Sequence, residues 1–178
     1  YQASNVTDLN ITGFDTSNVT NMRSMFTYMS NVPAIAVDTF NTSNVTDIAY
    51  MFQDLSQLST LDVSAWDTSN VSSLRYTFAS MPLVTSLNVS GFNVSNVTDL
   101  NYTFRDSVAL TALDVSSWNT SNVQGMRYTF SNTPLISTLA VNSWNTSNVT
   151  DMSFMFSYAS AFNQNIGNWD VSNVILMA

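Results

Sequence analysis

The 178-residue chain has no cysteine, histidine, lysine or glutamate. Charged residues make up 9%: twelve acids, all Asp, and four bases, all Arg, for a net charge of −8. Each absence excludes something. Without His and Cys the chain lacks the commonest general base, the commonest metal ligand and the soft thiolates. No Ser–His or Cys–His nucleophile pair is possible, so catalysis would rest on Asp, Tyr, Ser or Thr. No disulfide holds the fold. The acidic balance argues against nucleic acid and against an anionic membrane surface. No apolar run approaches the roughly 18 residues of a membrane span, and no signal peptide is present. The expectation is therefore a mature product or a fragment of something longer.

What is present is a repeat. Asn18, Asn44, Asn70, Asn96, Asn122 and Asn148 stand 26 residues apart, each inside a phrase such as DTSNV (15–19) or NTSNV (41–45). Asn173 follows 25 later. A fixed period of this size signals a solenoid or a propeller, and a propeller blade needs about 40 residues. The apolar residues keep the register. Val45, Ile48 and Phe52 and their equivalents recur at a spacing of three then four, which predicts one face of a short helix. Leu61 and Val63 alternate with polar Asp62 and Ser64, which predicts a short strand with one buried face. An aromatic closes each strand, at Phe14, Phe40, Trp66, Phe92, Trp118, Trp144 and Trp169.

One strand and one helical turn bury too little alone, so the units must stack. The predicted fold is an α/β repeat: a leucine-rich-repeat-type solenoid with a parallel β-sheet and one short helix or helical turn per rung. A parallel β-helix is the alternative. Residues 1–178 form one domain, with a leading half repeat over 1–16, six repeats of 25–26 residues over 17–172, and a truncated repeat begun at 173–178.

The segments FNTSNVTDIAYMF (40–52) and WNTSNVTDMSFMF (144–156) resemble the 26-residue bacterial surface-protein repeat of the BspA-like leucine-rich-repeat proteins. FNQNIGNWDVSNV (162–174) resembles its 25-residue form. Gln124-Gly125 in place of Thr-Asp, and Thr77, Thr103 and Thr129 in place of Met, depart from it. The resemblance implies an extracellular or cell-surface protein, often an adhesin, and lends no catalytic residues. The expected role is a non-enzymatic surface segment that meets glycans or surface proteins. The alternative is a fibre subunit stacked head to tail and N-glycosylated, since neither end reads as a polar cap.

Four residue sets are candidates for that role. Tyr50, Tyr76, Tyr102, Tyr128 and Phe154 form a ladder of aromatics pointing away from the core, for mutual packing or for contact with sugars or a protein. Asn18, Asn44, Asn70, Asn96, Asn122 and Asn148 are read as structural, capping helices or laddering from rung to rung. Asn41, Asn93, Asn119 and Asn145 are the better glycosylation candidates, because glycans need surface loops. Arg23, Asp47, Arg75, Asp99, Arg127 and Asp151 alternate in charge along the stack, which either controls register or reflects a duplicated two-rung unit. No cofactor is expected. Asx-rich turns suit Ca²⁺ in ligand type, but no Asp-Gly-rich calcium motif occurs.

Overall fold

The computed structural model describes residues 5–178; residues 1–4 of the leading half repeat lie outside them. Successive 26-residue rungs lie on one another in register. Strand β1 (Ala112–Leu113) runs parallel to β2 (Thr138–Leu139), with Ala112 opposite Thr138 and Leu113 opposite Leu139. Isolated parallel bridges Ala34–Thr60 and Ser86–Ala112 continue this column. A second column joins Asn21–Asp47, Ser73–Asp99, Asp99–Gly125, Gly125–Asp151 and Asp151–Leu176.

The predicted α/β class is overturned. Among the described residues there is no helix, and β1 and β2 are the only strands. Neither the helix per rung of a leucine-rich-repeat-type solenoid nor the continuous sheet of that fold or of a parallel β-helix is formed. The cause lies in the backbone. Tyr50, Tyr76, Tyr102, Tyr128 and Phe154 all have φ between 54° and 62°. Four residues further on, Asp54, Ser80, Asp106, Asn132 and Tyr158 repeat this conformation. A left-handed residue cannot continue a right-handed helix. Its N–H is instead donated to the next rung, as from Tyr50 to Arg75 O (2.8 Å), Tyr76 to Asn101 O (3.1 Å) and Tyr102 to Arg127 O (2.8 Å). Alternate residues between them close turns inside their own rung, as Met51 N–H does to Ile48 O (3.1 Å) and Gln53 N–H to Tyr50 O (3.3 Å), while Phe52 N–H goes to Thr77 O of the next rung (3.1 Å). Successive turns thus produce the three-then-four spacing that reads as a helix.

The strand half is cut short for a related reason. Trp66, Trp118 and Trp144 donate their N–H groups to Val63, Val115 and Val141 O within the same rung, at 3.1, 3.2 and 3.1 Å. A turn forms where a longer ladder would need those donors.

The core is a double aromatic column. Phe26, Phe52, Phe78, Phe104 and Phe130 are at most 2% exposed, and their rings stack at 5.5–5.9 Å. The strand-closing rings of Phe40, Trp66, Phe92, Trp118 and Trp144 pack against them at 5.7–6.5 Å. Aliphatic residues fill the rest, Leu61, Val63, Leu113, Val115, Leu139 and Val141 from the strand half among them. Most buried polar groups are bonded across rungs, as buried polar groups generally are, with Thr42 Oγ1 and Arg127 Nε the exceptions among the described residues. Trp66, Trp118 and Trp144 Nε1–H donate to Val37, Val89 and Val115 O of the preceding rung at 3.0–3.2 Å. Thr77, Thr103 and Thr129, which stand where the repeat otherwise has Met, donate Oγ1–H to Ile48, Leu74 and Leu100 O at 3.0–3.2 Å.

Candidate functional site

The phrase D/N-T-S-N-V is a junction in which its polar residues take separate bonds, except at Thr42, whose buried Oγ1 has no partner. The first residue accepts the N–H of the Ser two places on through Oδ1, as Asp15, Asn41, Asp67 and Asn93 do at 2.9–3.1 Å. Only an oxygen is used, so Asp and Asn interchange there. Thr16, Thr68, Thr120 and Thr146 are buried and donate Oγ1–H to the next rung's backbone at 2.9–3.1 Å. Asn44, Asn70, Asn96, Asn122 and Asn148 donate Nδ2–H to the Ser carbonyl of the preceding rung at 2.7–2.8 Å. These asparagines therefore bond side chain to backbone between rungs. They cap no helix, because none is there, and they do not ladder amide to amide. Asn18, in the first complete repeat, is exposed.

Asn41, Asn93, Asn119 and Asn145 are exposed. Their Oδ1 atoms accept the N–H of Ser43, Ser95, Ser121 and Ser147 at 3.0–3.2 Å. Their Nδ2 atoms, where a glycan would attach, make no hydrogen bond among the described residues.

The tyrosine column is half-buried. Ring centroids lie 5.0 Å apart for Tyr50–Tyr76, 4.3 Å for Tyr76–Tyr102, 5.0 Å for Tyr102–Tyr128 and 4.7 Å for Tyr128–Phe154. Interplanar angles of 7–21° mean that the ring faces cover one another. Faces between neighbouring rings are therefore closed to a ligand. The phenol of Tyr76 is pushed above its ordinary value, first by burial and then by Tyr102.

Every basic residue of the chain borders this column. Arg23 lies 4.7 Å from the Tyr50 ring centroid. Arg75 lies 5.5 and 5.4 Å from Tyr76 and Tyr102, and its Nε–H donates to Tyr50 Oη at 2.8 Å. Arg105 lies 5.7 and 5.5 Å from Tyr102 and Tyr128, and Arg127 lies 5.2 Å from Tyr128. Guanidinium over a ring is favourable by about 0.5–1 kcal/mol at exposed sites. The alternation of charge gives two ion pairs, Arg23–Asp47 at 3.3 Å and Arg75–Asp99 at 3.6 Å. Arg127 and Asp151 form none among the described residues. Arg105, outside the alternating set, pairs with Asp106 at 3.0 Å. Sequence periodicity passed over Arg105. Its signal was composition, since it is one of only four bases.

Gly125 shows how one rung supports another. Elsewhere the side chain at this position accepts the N–H two places on: Asp47 from Ala49, Asp99 from Asn101 and Asp151 from Ser153, each at 2.8 Å. Gly125 has no side-chain acceptor, and Asn101 of the preceding rung supplies one, its Oδ1 taking Arg127 N–H at 2.7 Å. A Cβ on Gly125 would stand 2.5 Å from Asn101 Nδ2.

A second exposed surface carries Asp62, Asn88 and Asp114. Each accepts from a serine two residues on, as Asp62 does from Ser64 Oγ (2.6 Å) and N (3.0 Å). The Ser64 hydroxyl, then its N–H, holds the Asp62 carboxyl below its ordinary value, and Ser116 does the same for Asp114. No group of three acidic side chains among the described residues is placed to hold a metal ion. No helix among them is long and apolar enough to cross a membrane.

A family described as "Mycoplasma protein of unknown function, DUF285" matches residues 1–110 and again residues 72–178. The overlap is what a repeating chain permits. No curated protein and no solved structure matches the chain.

Proposed function

Because the chain belongs to the DUF285 family, whose description assigns no function, we propose its role from geometry: a non-enzymatic surface scaffold that engages an extracellular partner through the tyrosine–arginine strip. One observation carries this reading. All four arginines of a chain with net charge −8 border one half-buried aromatic column. Tyr and Arg are the residue types that anchor interfaces. The tyrosine recurs once per rung from Tyr50 to Tyr128, so an extended partner would meet several similar rings at once, which raises avidity without new chemistry. The polar Asp62–Asp114 surface lacks such anchors. The resemblance to BspA-like surface proteins supports a position outside the cell.

The test is binding of the purified protein to arrayed glycans and surface proteins. Wild type should bind, and the double variant Tyr76→Ser/Tyr102→Ser should lose that binding while remaining folded. Asp62→Ala/Asp114→Ala should leave it unchanged. Binding abolished by the second pair and not the first would sink the assignment of the strip.

A further inference from the structure

We infer that this chain carries N-linked sugar along one edge of the stack, at the junction asparagines Asn41, Asn93 and Asn145. The inference is independent of the strip reading. Each of the three opens an Asn-x-Ser sequon: Asn41-Thr42-Ser43, Asn93-Val94-Ser95 and Asn145-Thr146-Ser147. That tripeptide accepts N-linked sugar when it stands at a surface. A repeat rich in Asn, Ser and Thr forms sequons throughout, and geometry chooses among them.

Asn44, Asn70, Asn96 and Asn148 also open sequons. Each holds Nδ2 at 2.7–2.8 Å from a Ser carbonyl of the preceding rung. Nδ2 is the atom a sugar attaches to, and there it already joins two rungs. At the junction the two amide atoms divide their roles. Oδ1 accepts Ser43, Ser95 and Ser147 N–H at 3.0–3.1 Å. Ser43 and Ser147 Oγ–H add bonds of 2.7 and 2.8 Å to the same atom at Asn41 and Asn145. Nδ2 makes no hydrogen bond among the described residues, and the side chains are exposed. Asp15 and Asp67, in the rungs beside Asn41, make the same turn through Oδ1. The fold therefore needs only the oxygen, and the amide nitrogen is surplus to it. Bonds into Oδ1 also polarise the amide and loosen its N–H protons.

The step is a substitution at C1 of a sugar carried on a diphosphate. The Nδ2–C1 bond forms and the C1–O bond to the diphosphate breaks. The diphosphate leaves with that electron pair, and one Nδ2 proton passes to a base of the transferase. Spacing limits how many sites fill. Asn41, Asn93 and Asn145 stand two rungs apart, about 10 Å. Asn119, in the rung between Asn93 and Asn145, makes the same turn. A bulky sugar there would crowd both neighbours, each about 4.8 Å away, so Asn119 stays bare while they are filled. Asn10 and Asn88, on the second exposed surface, bond Oδ1 alike and are further acceptors by the same reasoning.

The experiment is glycopeptide mapping, by mass spectrometry, of the protein isolated from its own source. Sugar should sit on Asn41, Asn93 and Asn145 and be absent from Asn44, Asn70, Asn96, Asn119 and Asn148. In the same host, Ser95→Ala/Ser147→Ala keeps both N–H donors and removes both sequons. It should lose sugar at Asn93 and Asn145 and gain it at Asn119, whereas Ser95→Thr/Ser147→Thr should keep the wild-type map. Bare asparagine at all three junction sites overturns the inference. Sugar on Asn44, Asn70, Asn96 or Asn148 in their place does the same, as does sugar retained at Asn93 and Asn145 in the Ala variant. Should that variant fail to fold, the wild-type map alone decides.

Discussion

The rings of Phe52, Phe78, Phe104 and Phe130 and those of Tyr50, Tyr76, Tyr102 and Tyr128 lie two residues apart in sequence and share one 26-residue period. The phenylalanines are fully buried and stack at 5.5–5.9 Å. The tyrosines are half-buried and stack closer, at 4.3–5.0 Å. The inner rings also pack sideways against the Trp and Phe of the strand half, whereas the outer rings meet one another and arginine. Their backbones differ too, since each tyrosine has a positive φ and the phenylalanines do not. The inner column draws its stability from burial. The outer one accepts a strained backbone, which costs on the order of 1 kcal/mol per residue, to hold rings at a surface.

Removing a ring from each column separates them most strongly. Phe104→Ala should lose about 3–5 kcal/mol, the cost of emptying a packed aromatic site, read as a drop in urea midpoint. Tyr102→Ala should lose less, about 1–3 kcal/mol, because part of the ring already meets water. The choice of replacement sharpens the contrast. At Tyr102, with φ 62°, Gly should cost less than Ala by about 1 kcal/mol. At Phe104 the usual order should hold, Ala above Gly. Equal ordering at both positions would break the backbone half of the comparison.

Smaller effects follow. Gly125→Ala should cost about 1–2 kcal/mol by displacing Asn101 from Arg127 N–H. Gly125→Asp/Asn101→Ala should recover most of it, because the new carboxylate caps its own turn. Thermal melts of wild type, Gly125→Asp, Asn101→Ala and the double variant, with Gly125→Ala beside them, test this, and simple additivity would count against the shared acceptor. The smallest effect is in alkaline solution. Burial, then Tyr102, raises the Tyr76 phenol above 10.0. The folded state thus favours the neutral form. The stability this gives is complete below the ordinary phenol value and is lost as pH rises through the raised one. Tyr76→Phe should flatten the decline in urea midpoint between about pH 9 and about pH 11. The Phe column has no titrating group and should add nothing there.

Much of this was legible in the sequence. The period, the buried Val63 and Phe52 and the alternating Leu61 and Val63 all follow from spacing. The helix was misread because three-then-four spacing belongs equally to a helix and to consecutive turns. Gly or Asn at the Tyr positions would have flagged a left-handed backbone, whereas tyrosine seldom adopts one. The strip was visible as tyrosines but not as a site. Arg105 falls outside the period, and the missing partner of Arg127 shows only in three dimensions.

The amide bonds of the repeat asparagines all run one way. Asn44 reaches back to Ser17, Asn70 to Ser43, and so on to Asn148 and Ser121. On a ribosome, each of these amides therefore emerges to find its acceptor already made, whereas the N–H groups of Tyr50, Tyr76 and Tyr102 and the hydroxyls of Thr16 and Thr68 wait for the rung that follows. The two bond sets thus run in opposite directions along the stack. Shortening it from the C-terminal side leaves the remaining amides bonded. Shortening it from the N-terminal side orphans one with every rung removed.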